Sequence, residues 1–307
     1  ITLVESSRPE DQQLAGMLLG AITGHTGHSI RVGITGVPGV GKSTFIEAFG
    51  KHITAQKKKV AVLTVDPSSQ STKGSILGDK TRMEELARNP LAFIRPSPAG
   101  NVLGGVSLRT REAMLLCEAA GYEVIIVETV GVGQSETAVK NMTDFFLLLM
   151  LAGGGDALQG IKKGITEVAD AIVITKADGP NLEQVRQAQS EFEQALRFQA
   201  GRPSGWLPKI QAASALTGEG ISEVWNTIQT FQGQSLSTGF LAANRGQQNI
   251  AWMHEYFFQL LASETRHPAL SDKKKELEER VAMQELSPHE AAMALLHAYH
   301  DVVSSRS

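Results

Sequence analysis

The sequence has one cysteine, three tryptophans and three tyrosines in 307 residues, and no excess of either charge. A lone Cys117 cannot form an intrachain disulfide, so a disulfide-built scaffold is excluded and nothing asks for an oxidising compartment. Lys and Arg number 29 against 32 Asp and Glu, a formal net charge of −3. That near-balance argues against a dedicated nucleic-acid binder, whose surface is strongly basic. No run reaches the roughly 18 apolar residues of a membrane helix. The longest, 145–152, is strand-length. The start of the chain shows no signal-peptide pattern. No nucleic acid, no membrane and a cytoplasmic location are therefore expected. The 42% hydrophobic and 20% charged fractions are those of an ordinary globular protein.

Strand-length apolar runs fall at 31–35, 60–65, 92–95, 124–128, 145–151, 171–175 and 210–213. Several are apolar throughout, without alternation, as in strands covered on both faces. Helical spacing lies between them at 43–55, 81–88, 107–120, 135–141, 181–200 and 221–231. This order predicts an α/β fold with a doubly wound, mostly parallel sheet. Ahead of it, 7–24 reads as a helix with a Ser7/Glu10 capping box. Its stripe of Leu14, Met17, Leu18, Ala21 and Ile22 is expected to pack on the main body. Beyond about Thr238 the strands stop. Helices are expected at 250–266, at 271–283 and after the capping box Ser287-Pro288-His289-Glu290. The expected division is a helical segment at 1–28, an α/β domain at 29–235 and a helical region at 236–307.

Gly36-Val37-Pro38-Gly39-Val40-Gly41-Lys42-Ser43-Thr44 matches G-x-x-x-x-G-K-[ST], after a strand and before a helix. Glycines there let successive backbone N–H groups converge on phosphate oxygens. The following helix adds the positive end of its dipole. Lys42 would reach the β- and γ-phosphates, and the Ser43 hydroxyl would bind Mg²⁺. The motif predicts a bound nucleoside triphosphate. A metal in such a site takes few protein oxygens. Asp66 and Glu128 stand at the carboxyl ends of two expected strands, and Asp79 lies in a loop between them. Gly131, in Glu128-x-x-Gly131, offers a free N–H that could sense the γ-phosphate. Gln134 lies three residues beyond Gly131, and no obvious water-positioning glutamine follows that glycine directly. Slow hydrolysis, raised by a partner, is expected.

Thr175-Lys176-Ala177-Asp178 closes another strand and is close to the guanine signature N-K-x-D. Asp178 could accept from both the ring N–H and the exocyclic amine of guanine, a pair adenine does not present. The Lys176 stem would lie over the base. Thr175 stands where Asn is usual and lacks its amide. Ser214-Ala215-Leu216 follows the last strand and matches the S-A-[KL] segment whose backbone meets the guanine carbonyl. Together with the phosphate loop, these segments select GTP and GDP.

These strings, with Val65-Asp66-Pro67-Ser68-Ser69, Glu128-Thr129-Val130-Gly131-Val132-Gly133-Gln134-Ser135-Glu136 and Gly155-Asp156-Ala157-Leu158-Gln159-Gly160-Ile161-Lys162-Lys163-Gly164, occur in one order. In that order the chain resembles the MeaB/ArgK-type P-loop GTPases. These are the methylmalonyl-CoA mutase-associated GTPases, whose older name is LAO/AO transport system kinase, and the chain looks close to their enterobacterial member. The resemblance covers essentially the whole chain. It implies a homodimeric GTPase with a helical N-terminal segment, a central G domain and a C-terminal helical dimerisation region. It implies a chaperone that gates cofactor loading and protects the adenosylcobalamin-dependent methylmalonyl-CoA mutase. It also implies that Ser43, Asp66, Asp79 and Glu128 form the Mg²⁺ shell, and that Asp156 and Lys162 belong to a third switch. Lys42, Asp66, Glu128 and Lys162 are then the residues expected to carry hydrolysis. The alternative reading is an ATP-dependent kinase or ATPase of a lysine/arginine/ornithine transport system. A metallochaperone role fits poorly with one cysteine and scattered histidines.

Overall fold

The computed structural model describes residues 1–6, 8–65, 83–97, 105–129, 135–153, 163–196, 202–265 and 268–304. Ser7, the capping residue expected for the first helix, and Asp66, Asp79, Gly131, Gln134, Asp156 and Lys162 lie outside the described residues.

Seven strands form one sheet. They are β1 (Ile30–Gly36), β2 (Val60–Val65), β3 (Ala92–Ser97), β4 (Val124–Thr129), β5 (Phe145–Leu151), β6 (Ala171–Thr175) and β7 (Lys209–Ala212). Their spatial order is β3-β2-β4-β1-β5-β6-β7, and every pairing is parallel. β1, β2, β4 and β6 are buried at every residue, as strands covered on both faces are, and the polar residues among them, Arg31, Thr35, Thr64, Glu128, Thr129 and Thr175, are buried with the apolar ones. The helix after β1 leads to β2 on one side, and the helix after β5 leads to β6 on the other. The carboxyl ends of β1 and β5 therefore flank the switch point of the sheet, where ligands of open α/β folds bind. β7 sits one residue earlier than expected, because its pairing with β6 runs from Ala171↔Lys209 to Ile174↔Ala212.

Helix Lys42–Ala55 follows the glycine-rich loop and buries Phe45, Ile46, Phe49 and Ile53. Each such side chain contributes about 1.5–3 kcal/mol when fully buried. Helix Ile221–Ser237 belongs to the same core through Val224, Trp225, Ile228 and Phe231. Phe49 meets Trp225 edge-on at 6.0 Å. The N-terminus of the loop helix is thus fixed from behind by packing. Cys117 belongs to the core, where burial pushes its thiol up to about 12 and keeps it neutral.

Among the ion pairs at the opposite, amino edge of the sheet are those of Glu118 and Asp144. Arg31 grips Glu118 through Nε and Nη2, both at 2.9 Å. Arg245 grips Asp144 at 2.8 and 2.6 Å and also donates to the carbonyls of Gly27 and Ser29. Breaking such a buried pair leaves an uncompensated charge, which costs about 3–5 kcal/mol.

The N-terminal helix differs from expectation. It spans Pro9–Ile22, Arg8 is its N-cap, and no side chain caps it. Leu14 and Met17 are more than half exposed and Leu18 is 37% exposed. The inward line is instead Asp11, Ala15, Leu19 and Ile22, spaced at four, four and three residues, with Ala15 buried and the others half-buried. Helix Phe240–Glu264 starts ten residues before the expected 250, and helix Lys163–Val168 was not expected. The Ser287/Glu290 capping box is formed. Ser287 N–H donates to the Glu290 carboxylate at 3.1 Å, and Glu290 N–H donates to Ser287 Oγ at 3.2 Å.

Residues 1–248 make one compact unit and residues 249–307 a second. In the second, helix Pro268–Ala282 packs on helix Pro288–Ser304. Among the described residues, no helix is long and apolar enough to cross a membrane.

Candidate functional site

The site is assembled at the carboxyl edge of β4, β1, β6 and β7. β1 ends at Gly36, paired with Leu149 of β5. A Cβ at Gly36 would stand 2.6 Å from the Leu149 carbonyl oxygen, so no larger residue fits there without moving the backbone. Gly39 and Gly41 are left-handed, with φ of +80° and +91°. A Cβ at either would meet nothing within 4 Å. Their need for glycine is therefore conformational, and the space beside them is open to a ligand. Val37 is half-buried, Pro38 is exposed and Val40 is buried. Gly41 is the N-cap of helix Lys42–Ala55, and no side chain caps that helix. Its first amides supply the donors and positive dipole end that suit an anion.

Lys42 Nζ folds back across the loop, donating to Gly36 O at 2.7 Å and Val37 O at 3.4 Å. Burial lowers its pKa, while the carboxylates of Glu128 and Glu136 oppose that shift. Two acids thus face this lysine, and both are buried. Glu128, on β4, lies in register with Ile34 of β1. Glu136 opens helix Ser135–Lys140. Below the loop, Thr129 Oγ1 donates to Thr35 Oγ1 at 2.8 Å, and Thr35 Oγ1 lies 3.4 Å from Glu136 Oε1. Glu136 closes the Glu128–Glu136 string, and nothing in the spacing gives it a role. Its burial beside Lys42 depends on a tertiary approach that spacing does not reveal. Ser43 is half-buried and Thr44 exposed at the head of the helix.

The second half of the site is built on β6 and β7. Thr175 Oγ1 donates to Val40 O at 2.8 Å and lies 3.1 Å from Met150 O. Lys176 has a left-handed backbone, φ +57°, and its Nζ donates to Gly39 O at 3.2 Å. Ala177 N–H donates to Ala213 O at 3.2 Å, and Ala213 N–H donates to Ile174 O at 2.9 Å. These bonds bring the Ser214 segment beside Asp178. Ser214 Oγ donates to Asp178 Oδ2 and accepts from the N–H groups of Leu216 and Thr217 at 3.2 and 3.1 Å. Ser214 is fully buried, Ala215 half-buried and Leu216 85% exposed. The structure therefore brings Gly36–Thr44, Glu128, Lys176, Asp178 and Ser214–Leu216 to one edge. Of the residues assigned from sequence, Asp66, Asp79, Gly131 and Lys162 fall outside the described positions.

Comparison with known proteins points one way. A family model described as methylmalonyl-CoA mutase-associated GTPase MeaB matches residues 1–269. The chain is 50% identical over 297 residues to GTPase ArgK of Escherichia coli K12, covering 94% of this chain and 90% of that protein. It is 47% identical over 310 residues to the mitochondrial methylmalonic aciduria type A homolog of Mus musculus, covering 97% and 75%. A solved structure described as LAO/AO transport system kinase superposes with a TM-score of 0.73 at 41% identity, covering 96% of this chain and 90% of that one.

Proposed function

The chain belongs to the MeaB family of methylmalonyl-CoA mutase-associated GTPases and is itself a GTPase; from that premise we propose that it is a guanine-nucleotide-switched chaperone of the adenosylcobalamin-dependent methylmalonyl-CoA mutase, gating cofactor loading and protecting the enzyme in the cytoplasm. The family match over residues 1–269 carries this reading. The site geometry supports its nucleotide half.

In this reading Lys42 leaves the Gly36 carbonyl for the β- and γ-phosphate oxygens, and the loop amides hold the rest of the triphosphate. Mg²⁺ suits the hard oxygen donors of Ser43 and Glu128, with Asp66 and Asp79 completing the shell, and when bound it neutralises the charge on the phosphates. Glu128 is a buried carboxylate beside Lys42, which fits a position that faces a cation. Asp178 accepts from the guanine N1–H and exocyclic amine, held in orientation by Ser214. Lys176 covers the base while its ammonium stays on the loop. Gly131 and Lys162 carry the nucleotide state to the mutase. The transport-kinase alternative asks for adenine, which offers no donor pair for Asp178.

Adding the mutase is expected to raise GTP turnover several-fold. Lys162→Ala should keep GTP affinity and lose that rise. Turnover identical with and without the mutase would remove the chaperone reading.

A homodimer through the C-terminal helices belongs to the same proposal. Met253, Phe257, Phe258 and Leu260, all on helix Phe240–Glu264, are each more than half exposed. Exposed apolar surface of this extent marks an association site. Sedimentation is expected at twice the 32.9 kDa chain mass at micromolar concentration, and Phe257→Glu should return the monomer. A wild-type monomer would end the dimer reading.

A further inference from the structure

Glu136 is a buried acid to which the nucleotide-binding arrangement gives no task. Its place is set from β1. At Gly33 a Cβ would stand 2.8 Å from Val139 Cγ1 and 2.9 Å from Thr143 Oγ1. Helix Ser135–Lys140 therefore lies too close to β1 for any side chain at that position. Its far end is held by Lys140, whose ammonium pairs with Asp170 at 2.8 Å. Glu136, in its first turn, is thereby fixed beneath the phosphate loop and is 4% exposed. Thr129 Oγ1 gives its proton to Thr35 Oγ1, which leaves the Thr35 proton for Glu136 Oε1, 3.4 Å away. Lys42 Nζ comes to the next residue, donating to Gly36 O at 2.7 Å. Carboxylate and ammonium thus converge on Thr35 and Gly36, the last two residues of β1. The Glu136 charge is one of the two that act on Lys42.

We propose that Glu136 is a positioning residue that competes with the nucleotide phosphates for Lys42 and so sets how fast nucleotide is released, given the reading above in which Lys42 serves the β- and γ-phosphates. A buried carboxylate attracts the ammonium more strongly than an exposed one would, because little water screens the pair. What Lys42 gains at the phosphates is therefore reduced by what it gives up at Glu136. The hydroxyl pair of Thr35 and Thr129 keeps the carboxylate from following the lysine, since Oε1 is held at β1. Glu128, the other acid acting on Lys42, belongs to the metal shell in the same reading. The difference appears mainly in the dissociation rate, where changes to one binding site are usually felt. Such a brake keeps a switch protein from being trapped by its own phosphate loop.

Glu136→Gln removes the charge and keeps an acceptor for Thr35. Release of methylanthraniloyl-GDP, followed by stopped-flow fluorescence, is expected to slow about tenfold in this variant, and Kd for GTP and GDP to fall by about the same factor. Loosened packing at this position would act in the opposite sense and speed release. In a Lys42→Ala background the same substitution should change release by less than about twofold, because no ammonium is left to compete for. Unchanged or faster release in Glu136→Gln would overturn the proposal. So would a slowing that persists in full without Lys42, which would make Glu136 a plain repulsive charge. Wild-type GTP affinity in Lys42→Ala alone would remove the premise, the phosphate role of Lys42, and the proposal with it, so the two failures are told apart.

Discussion

Lys42→Ala is expected to lower GTP affinity about a hundredfold and to reduce kcat by about a further 10²–10³. The first figure follows from charge-assisted hydrogen bonds to phosphate, worth about 1.5–3 kcal/mol, at tenfold per 1.4 kcal/mol. The second follows from charge that grows on the transferring phosphoryl oxygens in the transition state, where one missing donor costs about 10²–10³. The fold should survive. Among the described residues, the ammonium donates to the loop carbonyls of Gly36 and Val37. Its burial already lowers its pKa, so truncation also removes a desolvation cost. Helix Lys42–Ala55 is held by Phe45, Ile46, Phe49 and Ile53 rather than by its first residue. Equilibrium binding of GTP with phosphate-release kinetics checks the first two statements, and a thermal melt of the nucleotide-free protein checks the third. Wild-type turnover in this variant would overturn the assignment of the phosphate loop.

The same contrast, between what packs and what only approaches, decides how far the sequence was readable. The inner strands were legible because burial on both faces forces an unbroken apolar run, as in Val124–Val127 of β4. The phosphate loop was legible because its glycines answer to backbone angles that no other residue adopts cheaply. Helix Phe240–Glu264 begins ten residues before its apolar periodicity does, for a physical reason. Its first turns engage residues 1–248 through polar groups, Arg245 on Asp144 and Gln248 on the Thr143 carbonyl at 3.0 Å, and hydrophobic periodicity does not register these. The stripe expected to pack inward from 7–24 lies outward at Leu14, Met17, Leu18 and Ala21, because periodicity finds a face without saying which way it turns. Ala15 packs closely inward, while Leu14 and Met17 face out. In the site, Thr175 was visible as a departure from the guanine signature. Its bond to Val40 spans 135 positions, and no local pattern encodes it.

Asp178→Asn is expected to lower GTP affinity by about 10²–10⁴ and to move the preference to xanthosine triphosphate. The carboxylate accepts two hydrogen bonds from guanine, each charge-assisted and worth about 1.5–3 kcal/mol. An amide keeps one acceptor and adds two donors. Which end faces the base is decided by Ser214. Its Oγ already accepts from Leu216 N–H and Thr217 N–H, so its own proton goes to the group beside it. That group must be the amide oxygen, because an amide NH₂ would bring a third donor to an occupied oxygen. The NH₂ is thereby turned toward the base, where guanine presents N–H groups and the contact becomes donor against donor. Xanthine carries a carbonyl at C2 in place of the amine, so the same NH₂ finds an acceptor. Replacing Ser214 with Ala in the D178N variant frees the amide to rotate and should recover part of the GTP binding. Competition between GTP and xanthosine triphosphate for the purified variants measures both effects. Wild-type GTP affinity in Asp178→Asn would remove the base-reading role from this residue.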